Sequence, residues 1–148
     1  MLVEIKDIYL PLIMAIFLGY IAFQQMRINR DRLKLDLYNK RFEVYSRTLD
    51  FHHALVNNEL TTDIHRNFIE AKQSSKFLFH PSDKIYDVLK EMHIKSFKVT
   101  GFREHAEKLK GTNEYTKAFD EMHDSINWII SQVEVLDEKI SKYLNFHK

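Results

Sequence analysis

The stretch that most constrains this chain is Ile8 to Phe23, IYLPLIMAIFLGYIAF, which holds no charged residue. The uncharged run continues through Gln24 and Gln25 to Met26. A helix of that length rises roughly 28 Å at 1.5 Å per residue, close to the hydrocarbon thickness of a bilayer. Apolar side chains fall on every face of it, as a helix surrounded by lipid requires. The leader MLVEIKD carries Glu4, Lys6 and Asp7 instead of a basic stretch, and no small-x-small cleavage pattern follows the apolar core. The run therefore reads as an uncleaved anchor.

The flanks give the anchor a direction. Arg27, Arg30, Arg32 and Lys34 follow it closely, whereas only Lys6 precedes it. The positive-inside rule then places the C-terminal part in the cytosol and the N-terminus outside. The same four cations suit an anionic lipid surface, each contributing about 1 kcal/mol when close to it. The expected organisation is an anchor with a short external leader over residues 1–26 and a cytosolic helical domain over residues 27–148. Ala15 and Gly19 form one small-xxx-small pair, a slight signal for association within the membrane.

Beyond the anchor the pattern is helical. The chain has three glycines and two prolines, too few for a turn-rich β architecture. No glycine or proline lies between Gly19 and His80, so the first helix is expected to run unbroken from membrane to cytosol. Leu35, Tyr38, Phe42, Tyr45, Leu49, His52 and Val56 recur at alternating steps of three and four, a heptad seam. A second stripe of Leu37, Val44 and Phe51, flanked by Leu33 and Leu55, lies about 100° round the same helix. An apolar face this wide needs partners on two sides. Either this helix is central to its bundle, or its second stripe meets another protein.

Thr61 or Thr62 is a suitable N-cap for a second helix through Ile64, Phe68 and Ala71 toward Phe77. Pro81 disfavours helix at His80, and Ser82 can cap the next start. A third helix carries Ile85, Leu89, Met92 and Phe97, with a kink or break expected near Val99-Thr100-Gly101. Lys110-Gly111-Thr112-Asn113 is the clearest turn. The last helix keeps the four-three alternation from Tyr115 through Phe119, Met122, Ile126, Ile129, Val133, Leu136 and Ile140 to Tyr143. The expected fold class is all-α: a transmembrane helix continuing into a cytosolic four-helix bundle with coiled-coil-like packing.

Charge is uneven along the chain. Arg27 to Leu49 is basic in excess, and Asn113 onward is acidic in excess, so the first and last cytosolic helices are expected to lie side by side. No large basic face remains for nucleic acid once the juxtamembrane cations are set aside. There is no cysteine, which excludes disulfides, thiolate metal sites and a cysteine nucleophile. Three separated glycines cannot form a phosphate loop.

Eight histidines raise the question of a metal. Asp50-x-x-His53 and Asp120-x-x-His123 each place a carboxylate and an imidazole on one helix face, a logic related to that of carboxylate bundle sites. Both pairs sit one position beyond the seam residues Leu49 and Met122, and the glutamates expected on the other two helices are missing. They read first as solvated helix surface. His52 occupies the seam itself and reads as a hydrogen-bonded core histidine that makes stability depend on pH. His65, His93, His105 and His147 are scattered and belong to no pattern. Trp128 lies off the seam of the last helix, where it either closes the bundle edge or anchors a partner.

The block RDRLKLDLYNKRFEVY from Arg30 to Tyr45 resembles a pattern found just after the single span in many small bacterial membrane proteins of unassigned function. The matching residues are Arg32, Leu33, Leu35, Asp36, Leu37, Tyr38, Lys40, Arg41, Phe42, Val44 and Tyr45. The resemblance covers the anchor and first cytosolic helix and implies a single-pass protein of the inner membrane with a helical cytosolic domain. It implies no activity. The functional expectation is a non-catalytic, membrane-tethered interaction or scaffold module, without cofactor or resident metal. It would hold an unknown protein partner or its own copies at the cytosolic membrane face. Its interaction residues would be Leu37, Val44, Phe51 and Trp128, and its lipid-surface residues Arg27, Arg30, Arg32 and Lys34. The alternative from another class is a metal-binding helical enzyme or sensor using Asp50, His53, Asp120 and His123. A third reading, a membrane-perturbing pore former, fits a single uncharged span poorly unless the chain oligomerises.

Overall fold

The computed structural model describes the backbone of residues 2–145 and the side chains of residues 9–145. These residues form four α-helices and no strand: α1 (Leu2–Val56), α2 (Thr62–Leu78), α3 (Ile85–Leu109) and α4 (Asn113–Leu144). A single 3-10 turn, Pro81–Asp83, joins α2 to α3. The chain divides into two compact units, Met1–Leu37 and Tyr38–Lys148.

In the first unit α1 is unbroken, as the scarcity of breakers predicts, and it carries Pro11 within it. A proline there removes one backbone hydrogen bond without ending the helix, which transmembrane helices tolerate. From Leu10 to Phe23 the large apolar side chains Leu10, Leu12, Ile13, Ile16, Phe17, Leu18, Tyr20 and Phe23 are each at least 55% exposed.

The second unit has one continuous core. Val44, Phe51 and Leu55 of α1 meet Phe68 and Ala71 of α2, Ile85, Leu89, Met92 and Val99 of α3, and Ile129, Leu136 and Ile140 of α4. Phe51 and Phe68 stack face to face with ring centroids 3.9 Å apart, and both are fully buried. The fully buried residues of α1 come from the second stripe, while of the heptad seam Tyr45 packs against the edge of the core. Phe42 and Val56 stay 48% and 37% exposed, and Tyr45, Leu49 and His52 are half-buried.

The helix ends follow local chemistry. Thr61 caps α2 by accepting from the Ile64 N–H, and Thr112 caps α4 by accepting from the Tyr115 N–H. Gly111 supplies the positive φ of the α3–α4 turn, at 85°. Two expectations are corrected. Ser82 does not cap α3; it lies in the 3-10 turn, where His80 Nδ1 accepts its N–H, and left-handed Lys84 precedes α3. α3 passes Val99-Thr100-Gly101 without a break, because Val99 is fully buried and holds the helix to the core.

α1 ends at Val56, with Asn58 left-handed at φ 60°. Its last carbonyls take donors from outside the helix: the Asn58 N–H bonds Leu55 O at 3.4 Å, and Arg103 of α3 adds Nη1 to Leu55 O at 2.5 Å and Nη2 to Val56 O at 3.3 Å. A guanidinium there also complements the negative end of the helix dipole.

Candidate functional site

In the second unit side chains of α1 and α4 meet, though among the described residues no ion pair between them follows the opposite charge excesses of the two segments. Tyr45 Oη donates to Asp137 Oδ1 at 2.9 Å, and the Arg41 guanidinium sits 4.6 Å from the Tyr143 ring centroid. Arg41 Nε also donates to Leu78 O at 2.9 Å, which ties the end of α2 to the same place. Tyr143 hydroxyl donates to Asp83 and accepts the His80 N–H, and Lys139 donates to Asp83 O. Burial first, then the bonded carboxylates, raises the pKa of Tyr45 and of Tyr143. These tyrosines are structural fasteners between elements.

Beside them α1 and α2 enclose an open groove of about 310 Å³. Lys40, Glu43 and Arg47 line one side, Ser74, Phe77 and Leu78 the other, with Val44 and Ala71 as its floor. Arg47 bridges it, pairing with Glu43 at 2.6 Å and Glu70 at 2.8 Å. Phe77 on its rim is 84% exposed, more than any other large apolar side chain among the described residues.

The interaction residues expected from sequence divide. Val44 and Phe51 are 2% and 0% exposed and belong to the core, Val44 also forming part of the groove floor. The physical reason is that α2 and α3 cover the second stripe, making α1 central on that side. Leu37, in the first unit, is 38% exposed. Trp128 is half-buried against the core, and Lys95 Nζ lies 5.1 Å from its ring centroid, which places it at the α3–α4 edge. Arg27, Arg30, Arg32 and Lys34 are all exposed.

The metal candidates are not gathered. Asp50, His53, Asp120 and His123 are exposed, and among the described residues no group of three or more histidine and carboxylate side chains is placed to hold an ion. The histidines that do converge are ones without a sequence pattern. His65 Nε2 of α2 and His93 Nε2 of α3 are 2.9 Å apart, and Lys72 Nζ of α2 is 3.0 Å from His93 Nδ1. Lys72 is only 8% exposed. An ammonium can only donate, so His93 Nδ1 accepts and its proton resides on Nε2, which donates to His65 Nε2. That order makes a directed chain from Lys72 through His93 to His65. It argues against a metal between the two imidazoles, because a ligating His93 would turn an Nδ1–H toward the ammonium.

Burial, the Lys72 charge and His65 together push the His93 pKa down to about 4. Burial and then the nearby Lys90 charge lower the Lys72 pKa. His65 opens onto a pocket of about 400 Å³ lined also by Thr61, Ser96, Phe97 and Glu104. Periodicity could not reveal this cluster, since its members lie 21 and 28 positions apart on two helices.

His52 differs from its expected role. It sits in the seam, but both ring nitrogens are buried with no hydrogen-bond partner. Burial and then His53 lower its pKa.

Among the described residues the chain is thus all-helical, with one helix long and apolar enough to cross a membrane. Comparison with models of known families, with curated proteins and with solved structures found no match.

Proposed function

We propose that this protein is a single-pass, membrane-tethered helical interaction module, allied to the small bacterial single-span proteins that its Arg30–Tyr45 block resembles. The anchor lies in the inner membrane with the N-terminus outside. The second unit is a cytosolic four-helix bundle that holds a protein partner or further copies of the chain at the membrane face, without catalysis of its own. One observation carries the reading: the most apolar 18-residue window of α1 has no buried residue, while the second unit closes a complete core without it. A core helix of a soluble protein would be covered, and this one is not. Confinement to a bilayer raises the effective concentration of whatever the module binds.

The test compares full-length protein with a chain lacking residues 1–26 in the cell of origin. The full chain is expected in the membrane pellet after an alkaline wash, and the shortened chain in the soluble fraction. Release of the full chain by the wash would overturn the reading.

A further inference from the structure

We propose that the α2–α3 seam is a binding site for a phosphate group, held by Lys72, Lys76 and Lys90. The proposal goes beyond the tether and does not need it, because all three lysines belong to the second unit. The first support is a buried charge without a counter-charge. Lys72 is 8% exposed, and its Nζ lies 3.0 Å from His93 Nδ1. An ammonium carries three N–H donors, so two remain, and they meet no acceptor among the described residues. Buried charges are ordinarily paired, and a buried polar group short of partners points to an ion or water at that spot. His93 cannot supply the missing charge, since its other ring nitrogen is spent on His65, 2.9 Å away.

The second support is further cations on the same seam. Lys76 stands one turn from Lys72 on α2, and its Nζ is 5.8 Å from the ring centroid of Tyr86 on α3. Lys90 follows Tyr86 by one turn and is near enough to Lys72 for its charge to lower the Lys72 pKa. Both are exposed, which leaves the seam open to solvent. Among the described residues neither pairs with a carboxylate, whereas Lys95 and Lys98 of α3 pair with Glu91 and Glu121. Asp87 and Glu104 line cavities with Lys76 and with His65, yet form no ion pair with them. The third support is the match of charge. Three ammonium groups beside neutral imidazoles exceed what one carboxylate cancels. A phosphate monoester carries about −1.5 to −2 charge near pH 7 and three strong acceptor oxygens, one for each ammonium. Inorganic phosphate and the headgroup of phosphatidic acid share that chemistry.

The test follows the His93 and His65 ring signals by nuclear magnetic resonance at pH 7.5, with full-length protein in maltoside micelles. In one sample inorganic phosphate replaces chloride at constant ionic strength. In a second the micelles carry phosphatidic acid and no free phosphate is added. In a third acetate takes the place of phosphate. The signals are expected to move to saturation with phosphate chemistry and not with acetate. Saturation in the first sample assigns a soluble phosphate ligand, and saturation in the second alone assigns a lipid headgroup; either supports the site. Lys76→Gln and Lys90→Gln, on exposed side chains that the fold does not need, should each weaken the response about tenfold. Lys108→Gln, exposed further along α3, should leave it unchanged. No saturable response in either phosphate sample overturns the proposal. So does an equal response to acetate, an unchanged response in Lys76→Gln and Lys90→Gln, or an equal loss in Lys108→Gln.

Discussion

His65 Nε2 and His93 Nε2 meet at 2.9 Å across the α2–α3 interface, with the Lys72 ammonium on the far nitrogen of His93. Three basic groups in contact, with no carboxylate among their hydrogen-bond partners, disfavour a further proton on His93. The arrangement therefore favours one protonation state of the fold.

A pH dependence follows. The unfolded chain protonates His93 near its ordinary 6.5, whereas the folded chain does so only near 4. The unfolded state binds the extra proton between those values, so this contribution is complete above about 6.5 and is lost as pH falls toward 4. His52 shifts in the same direction. For His93 the loss is about 1–2 kcal/mol after screening of a partly exposed ring. Denaturant titrations of the full chain in detergent at pH 7.5 and pH 5 should show the drop, and His93→Gln should flatten it. Equal pH dependence in the two proteins would contradict the relay.

Removing the charge at the head of the relay should release its tail. Lys72→Met keeps the buried stem and deletes the ammonium. Nuclear magnetic resonance titration is expected to find the His93 pKa moved from about 4 toward 6.5, with folding stability at neutral pH unchanged or improved, because no carboxylate loses a partner. An unmoved His93 would mean that Lys72 does not act on it.

The two phenylalanines at the groove and core make a contrast. Phe51→Ala removes a fully buried ring stacked on Phe68 and should cost about 3–5 kcal/mol. Phe77→Ala, on a side chain that is 84% exposed, should change stability by no more than about 0.5 kcal/mol. Thermal melts of the two variants compare them directly. Similar losses would misplace one of the rings.

Arg103 closes the end of α1, and its removal is expected to fray that end. Arg103→Met removes the donor to Val56 O and the second donor to Leu55 O, which keeps the Asn58 N–H, and should cost about 0.5–1.5 kcal/mol. Hydrogen exchange should quicken in the last turn of α1 before it does so at Phe68. Uniform exchange changes through the unit would point to general destabilisation instead.

Much of this fold is legible in the sequence. The threonine caps at Thr61 and Thr112, the Gly111 turn and the α4 alternation are local signals, and local signals survive tertiary context. What fails is the choice between two apolar stripes on α1. Both have the right spacing, and packing decides between them. The clue is size: the side that holds Val44 and Phe51 also holds Thr48 and Ala54, small enough for neighbouring helices to approach. Thr48 can be buried there because its hydroxyl donates to the Val44 carbonyl one turn back. The Lys72–His93–His65 chain is illegible for a different reason, since no sequence rule brings together residues from two helices.

The measurement that bears most directly on the tether is labelling of single cysteines by a membrane-impermeant maleimide, before and after permeabilisation. Leu2→Cys reports the N-terminus and Ser131→Cys, exposed on α4, reports the second unit. The expected result is labelling of Leu2→Cys from outside and of Ser131→Cys only after permeabilisation. Labelling of Ser131→Cys from outside, or free labelling of both in a soluble fraction, would contradict a cytosolic module held by an N-terminal anchor.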